Sequence, residues 1–202
     1  KRLLAYSSFS HMALLALGVF SWNATSLEGV VYHMLNHAVA TGGLFLLAGL
    51  LEARGITHIS QLSGLAAKAP RFAALFLLMS FASIGVPGLN GFVGEFLILL
   101  GVSARSPLMT MLAALSLILS AAYMLWLVQR TLFGAPTGSL LDGPEFKLSR
   151  LQLAAVLPLS ILAVLMGLWT QPFTRQIVPA VQQTLSSLQS PIHAQAEDSL
   201  HG

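Results

Sequence analysis

The 202-residue chain contains no cysteine. Disulfide frameworks, thiolate metal sites and iron–sulfur ligation by this chain are thereby excluded. Charge is almost as scarce, at 8% of residues, whereas a soluble domain is about a quarter charged. An ordinary soluble domain is excluded on that ground. Hydrophobic residues make up 55% of the sequence and mean hydropathy is +0.78, so the solvent of this chain is lipid. The net charge of +3 does not signal nucleic acid, because the basic residues are scattered between apolar runs and do not cluster on a polar face. The chain opens at Lys1-Arg2 with neither an initiator methionine nor a cleavable signal pattern, and is expected to be the later part of something longer.

Apolar runs that approach a bilayer thickness of about 30 Å cover residues 3–20, 28–51, 72–101, 108–133 and 151–169. They predict an all-α, polytopic transmembrane helix bundle of five segments. The membrane domain is expected over residues 1–173, with a polar C-terminal tail over 174–202. The tail from 182 onward has little periodic apolar content and is expected to be loosely ordered. The run 72–101 is too long for one straight helix and too short for two spans with a loop. Its middle holds Pro87 and glycines every third residue, at Gly85, Gly88, Gly91 and Gly94. Proline removes a backbone donor and glycine permits unwound geometry, so a broken helix is predicted, with Pro87, Gly88 and Gly91 at the break. Irregular backbone at membrane depth survives only where protein or water covers it.

The distribution of basic residues favours a single crossing by that segment. One face then collects Lys1, Arg2, Arg54, Lys68, Arg71, Arg130, Lys147 and Arg150, against Arg105 and Arg175 on the other. Two crossings give a weaker bias. The single crossing predicts the chain start and the linkers after 51 and 133 in the cytoplasm, and the tail on the non-cytoplasmic side.

Glu95, just beyond the break, is the most informative residue. A charge at the bilayer centre costs about 2.5–3.5 kcal/mol on insertion scales, and intramembrane acids commonly line ion paths. Other polar groups recur at helical spacing: Ser7 with His11, then His33, His37 and Thr41, then Ser116, Ser120 and Tyr123. Packed together, such seams could hold a chain of waters, with neutral histidine accepting a proton on one nitrogen and releasing one from the other. Glu95, His37 and His11 are the expected proton path. His33, Ser116, Ser120 and Tyr123 are open to either a path or a packing role, since small hydroxylated residues also pack membrane helices. His33 and His37 have the spacing of a helical zinc pair, yet the glutamate of HExxH is missing and no third ligand stands out, so no metal site is expected. The glycine series is not a dinucleotide fingerprint and follows no predicted strand. No cofactor-binding or catalytic residues are expected.

Three stretches carry a family resemblance: Lys1 through Met12 with Ser7-Ser8-Phe9-Ser10-His11, Asn36-His37-Ala38 through Leu46, and Gly85-Val86-Pro87-Gly88 through Gly94-Glu95-Phe96. In that order they resemble the antiporter-like membrane subunits of respiratory complex I, over residues 1 to about 173. Glutamate after Gly94 is similar to the subunit M (chain 4) branch, since related subunits commonly carry lysine there. The resemblance implies two inverted repeats in the whole protein, each with a broken helix and a half-channel. This chain corresponds to the last five membrane helices, with Glu95 as the terminal acid and His37 and His11 on the connecting water path. Lys1 stands at a helix start and does not match the family's central lysine.

The implied function is that of a non-redox subunit of NADH-quinone oxidoreductase, coupling electron transfer elsewhere to proton transport across the membrane, bacterial inner membrane being the expected location. NADH, FMN, iron–sulfur clusters and quinone would belong to partner subunits. The partners implied are other membrane subunits of complex I, including neighbouring antiporter-like ones, together with the lipid bilayer and protons, and no nucleic acid. Two other readings are a subunit of a cation/proton antiporter or energy-converting hydrogenase, and a structural or assembly membrane protein whose polar seams only pack helices.

Overall fold

The computed structural model describes residues 1–134 and 148–200. Among them are eight α-helices, one 3₁₀ turn at Ile59–Gln61 and no strand. In chain order the helices are α1 (Arg2–Phe20), α2 (Ala24–Glu52), α3 (Leu65–Lys68), α4 (Pro70–Ser83), α5 (Asn90–Ser103), α6 (Pro107–Leu132), α7 (Arg150–Leu168) and α8 (Gln171–Leu200). Helices α1, α2, α6 and α7 are each long and apolar enough to cross a membrane. Helices α4 and α5, of 14 residues each, reach only about 21 Å at 1.5 Å per residue.

The two short helices form one interrupted crossing, antiparallel to α2. Going up α2 in sequence, Gly29 meets Leu97 and Ile98, His33 meets Gly94, Asn36 meets Asn90, and Gly43 meets Met79. A hairpin of two crossings would not give that monotonic order. The break itself follows from local chemistry. Gly85 and Gly88 adopt φ of +70° and +92°, values open to glycine without strain. Pro87 cannot donate a backbone hydrogen bond, so the ladder of α4 has no continuation there. Gly91 brings the first turn of α5 against the end of α4, where a Cβ would overlap the carbonyl oxygen of Ala82.

The starts of α2, α6 and α7 are fixed by side-chain caps that satisfy otherwise unpaired backbone N–H groups. Asn23 accepts from the N–H of Ser26 at 2.9 Å, opening α2, while its Nδ2 donates to the Gly101 carbonyl at 2.6 Å and ties that corner to the end of α5. Ser106 caps α6 ahead of Pro107, and Ser149 forms a reciprocal capping box with Gln152 at the start of α7. At the opposite face of the bundle Lys1 and Glu52 pair, joining the start of α1 to the end of α2.

Helix α7 stops at the level of the break. Gly167 abuts the backbone of Gly88 and Leu89, and Tyr32 of α2 donates to the Met166 carbonyl at 2.6 Å, capping one of the unpaired groups of that helix end. Beyond it α8 continues the cover of α2: Phe173, Ile177, Val181 and Leu185, four residues apart, pack in one apolar cluster with Tyr32 and Leu27. Where a loosely ordered tail is expected from residue 182, a helix runs from Gln171 to Leu200. The apolar stripe docks its first half, and from 182 onward Leu185 is the stripe residue that packs in the cluster.

Candidate functional site

Four titratable side chains from three elements meet where α5 lies closest to α2. His11 projects from α1, His33 and His37 from α2, and Glu95 from the second turn of α5. Gly94 makes the meeting possible: a Cβ there would come within 2.6 Å of the His33 Cβ and 2.7 Å of its Cα, so only glycine lets the two backbones approach this closely.

His11, His33 and Glu95 are 4%, 2% and 6% exposed. Nδ1 of His11 and Nε2 of His33 lie 3.2 Å apart, within hydrogen-bond distance, and Nδ1 of His11 lies 3.6 Å from Oε1 of Glu95. Among the described residues, His11 is the basic side chain within reach of the carboxylate. Oε1 itself is buried with no hydrogen-bond donor. The other carboxylate oxygen lies against Gly85, where a Cβ would overlap it, so the break also makes room for the acid. His37, half-buried, stands at the margin with its ring 5.2 Å from His11 and 6.4 Å from His33, and Thr41 Oγ1 lies 3.2 Å from its Nδ1. A cavity of about 10 Å³ adjoins, lined by His11, His33, Asn36 and His37 among others. It has room for about one water.

The seam continues along α1. Tyr123 of α6 donates to Ser7 Oγ at 2.6 Å and lies 2.9 Å from Ser120, one helical turn from His11. Ser116 does not join it, its hydroxyl donating back to the Ala113 carbonyl at 2.7 Å. Pro87 and Gly88 lie in the break and Gly91 in the first turn of α5, while Gly85 is the break residue against Glu95. His33, which the sequence left between path and packing, stands at the centre, and His37 at the edge. Asn90 was missed as a site residue. It is fully buried at the start of α5 and donates to the Asn36 carbonyl at 3.3 Å, pinning the first turn of α5 to α2. An asparagine directly after a glycine-rich break is the signal that could have marked it.

Chemically, two hydrogen-bonded imidazoles next to a carboxylate can pass a proton among themselves: one ring accepts on a bare nitrogen while its neighbour donates. None of these groups is paired with a Lys or Arg among the described residues.

The family model described as NADH:quinone oxidoreductase/Mrp antiporter, TM, matches residues 1–129. The chain belongs to this family. NADH-quinone oxidoreductase subunit M of Rhodobacter capsulatus is 36% identical over 182 residues, covering 90% of the chain and 35% of the relative. NADH-quinone oxidoreductase subunit 13 of Thermus thermophilus is 43% identical over 185 residues, covering 90% and 38%. Among solved structures, a chain of respiratory complex I from Thermus thermophilus with bound NADH matches with a TM-score of 0.81 at 42% identity, over 91% of this chain and 38% of that one. The Mrp complex from Dietzia sp. DQ12-45-1b shares the fold, with a TM-score of 0.77 at 24% identity over 88% and 41%. The chain thus spans little more than a third of the curated relatives it matches. As a member of the quinone oxidoreductase/Mrp antiporter family with four membrane-length helices, it is an integral membrane protein.

Proposed function

We propose that this chain is part of a proton-translocating membrane subunit of an NADH-quinone oxidoreductase, in which electron transfer in partner subunits drives proton movement through the seam of His11, His33 and Glu95. The observation that carries the reading is the buried hydrogen-bonded imidazole pair set against an acid that has no Lys or Arg partner among the described residues. Glu95 holds the proton at one end, the His11–His33 pair relays it, and His37 with Thr41 exchanges it at the half-buried margin. NADH, FMN, iron–sulfur clusters and quinone belong to other subunits, and the rest of the full-length protein supplies the other half of the path. The setting is a bacterial inner membrane, with the chain start and the linkers after α2 and α6 in the cytoplasm and α8 on the other side, in keeping with the bias of basic residues.

The test uses the full-length protein in its assembled complex, in sealed vesicles at matched assembly levels. Glu95→Gln keeps the shape and removes the titrating proton. Proton pumping should fall about a hundredfold or more, within the range seen when a positioned acid or base is lost. Unchanged pumping and unchanged quinone-reductase turnover would sink the role and favour a packing function. A second reading, cation/proton antiport, draws on the shared fold with the Mrp complex. Proton movement that needs an opposing sodium gradient, with no dependence on quinone reduction, would favour it.

A further inference from the structure

The sequence offers His33 and His37 as a metal pair without a third ligand. The fold regroups the donors. Nδ1 or Nε2 of His11 and His33 and a carboxylate oxygen of Glu95 all lie within 4.8 Å of one another, and all three residues are buried. Two edges of that triangle are 3.2 Å, from His11 Nδ1 to His33 Nε2, and 3.6 Å, from His11 Nδ1 to Glu95 Oε1. Zinc-class ions hold imidazole nitrogen and carboxylate oxygen at about 2.0–2.2 Å in a tetrahedron, which puts neighbouring ligand atoms about 3.3–3.6 Å apart. The two edges already stand close to that spacing, and only the His33–Glu95 edge has to close.

We infer that His11, His33 and Glu95 form a binding site for an exchangeable divalent cation of the zinc class. Two independent features support it besides the spacing. Oε1 of Glu95 is a buried carboxylate oxygen with no hydrogen-bond donor among the described residues, so a cation would satisfy a group otherwise left unpaired there. The adjoining cavity lined by His11, His33, Asn36 and His37 has room for a water as fourth ligand. The donor set selects the metal: two imidazoles and one carboxylate suit zinc and its neighbours, whereas calcium and magnesium want six or more oxygen ligands. The ion exchanges because the opposite ring nitrogens, Nε2 of His11 and Nδ1 of His33, have no hydrogen-bond partner among the described residues. The site therefore lacks the outer hydrogen bonds that tighten resident metal centres. Binding also moves the hydrogen shared between the two imidazoles to the outer nitrogen of the same ring, Nε2 of His11 or Nδ1 of His33, since both inner nitrogens then face the ion, so metal occupancy and proton relay exclude each other. The binding claim stands apart from the proposed transport; only its blocking effect rests on that reading.

Cobalt(II) alone is the probe, added to the full-length protein in its assembled complex after dialysis against chelator, with bound cobalt counted and its K-edge X-ray absorption recorded. This element-specific signal is not obscured by iron or flavin in an assembly. Wild type should hold about one more equivalent per chain than Glu95→Gln, with a first shell of nitrogen and oxygen at about 2.0–2.1 Å and imidazole scattering beyond it. His33→Cys should replace one nitrogen by a sulfur at about 2.3 Å. Equal uptake by wild type and Glu95→Gln, or cobalt bound to His33→Cys without sulfur, overturns the site. A wild-type first shell without imidazole overturns it with no variant needed.

Discussion

The Cα of Gly94 on α5 faces the Cα of His33 on α2 so closely that a methyl group at position 94 would come within 2.7 Å of it. This contact sets the depth at which the acid of α5 meets the histidines of α1 and α2. Gly94→Ala should cost about 1–3 kcal/mol through overpacking, lowering thermal stability and pushing Glu95 away from His11. Gly42→Ala is the control, because a Cβ there meets nothing within 4 Å; it should leave the melting temperature unchanged or higher. Differential scanning fluorimetry of the detergent-solubilised full-length protein compares the two. Equal melting of both variants would refute the close-approach account.

The two left-handed glycines of the break should differ in tolerance. Gly88→Ala meets only the Leu168 side chain at 3.8 Å, so its cost is the backbone strain of φ +92°, about 1–2 kcal/mol. Gly85→Ala adds to a similar strain an overlap with the Glu95 carboxylate. Urea unfolding followed by tryptophan fluorescence should rank Gly85→Ala below Gly88→Ala, and pumping in vesicles should be lost for the former first. The reverse order would mean that the carboxylate does not lie against the break.

Tyr32→Phe removes the hydroxyl that caps the Met166 carbonyl. The tyrosine is fully buried, so the carbonyl is left unpaired at a cost of about 1–3 kcal/mol. Because Tyr32 also packs edge-on against Phe173, the ends of α7 and α8 should loosen together. Hydrogen exchange read by mass spectrometry should rise in peptides covering 163–181 and stay level in those covering α6. Unchanged exchange in 163–181 would contradict the clasp.

Among the histidines, the fold predicts unequal effects. His33→Gln takes out the hydrogen-bonded partner of His11, whereas His37→Gln removes a half-buried ring at the margin. Pumping should drop by at least about tenfold for the former and distinctly less for the latter, with assembly monitored on native gels. A larger loss from His37→Gln would return that residue to the centre of the path.

The spans at 3–20, 28–51, 108–133 and 151–169 were legible because lipid imposes a length and an apolar content that no other environment requires. The interrupted crossing was legible from Pro87 and its glycines, whose backbone preferences act locally. Rotation of the helices was not legible. Whether His33 or His37 faces Glu95 depends on which side of α2 the smooth surface of α5 meets, and that is set by Gly94 and Gly29 across the interface, pairs far apart in sequence. The seat of the α7 end on the break was hidden for a related reason: Gly167 is small enough to rest on Gly88, and nothing in its own neighbourhood says so. The stripe Phe173, Ile177, Val181 and Leu185 straddles residue 182, where the polar composition begins, and was not read as one helical face.

One consequence of the interruption between Ser83 and Asn90 is electrical. An unbroken helix would keep its partial charges at the two membrane surfaces, whereas α4 and α5 bring a negative carbonyl end and a positive amide end, each about half an elementary charge, to within a few residues of each other. At long range the two cancel. At the gap, where Asn36, Asn90 and the Glu95 side chain lie, they do not. The buried seam thus sits in a standing field made of peptide backbone alone, which no protonation or deprotonation of its side chains can discharge.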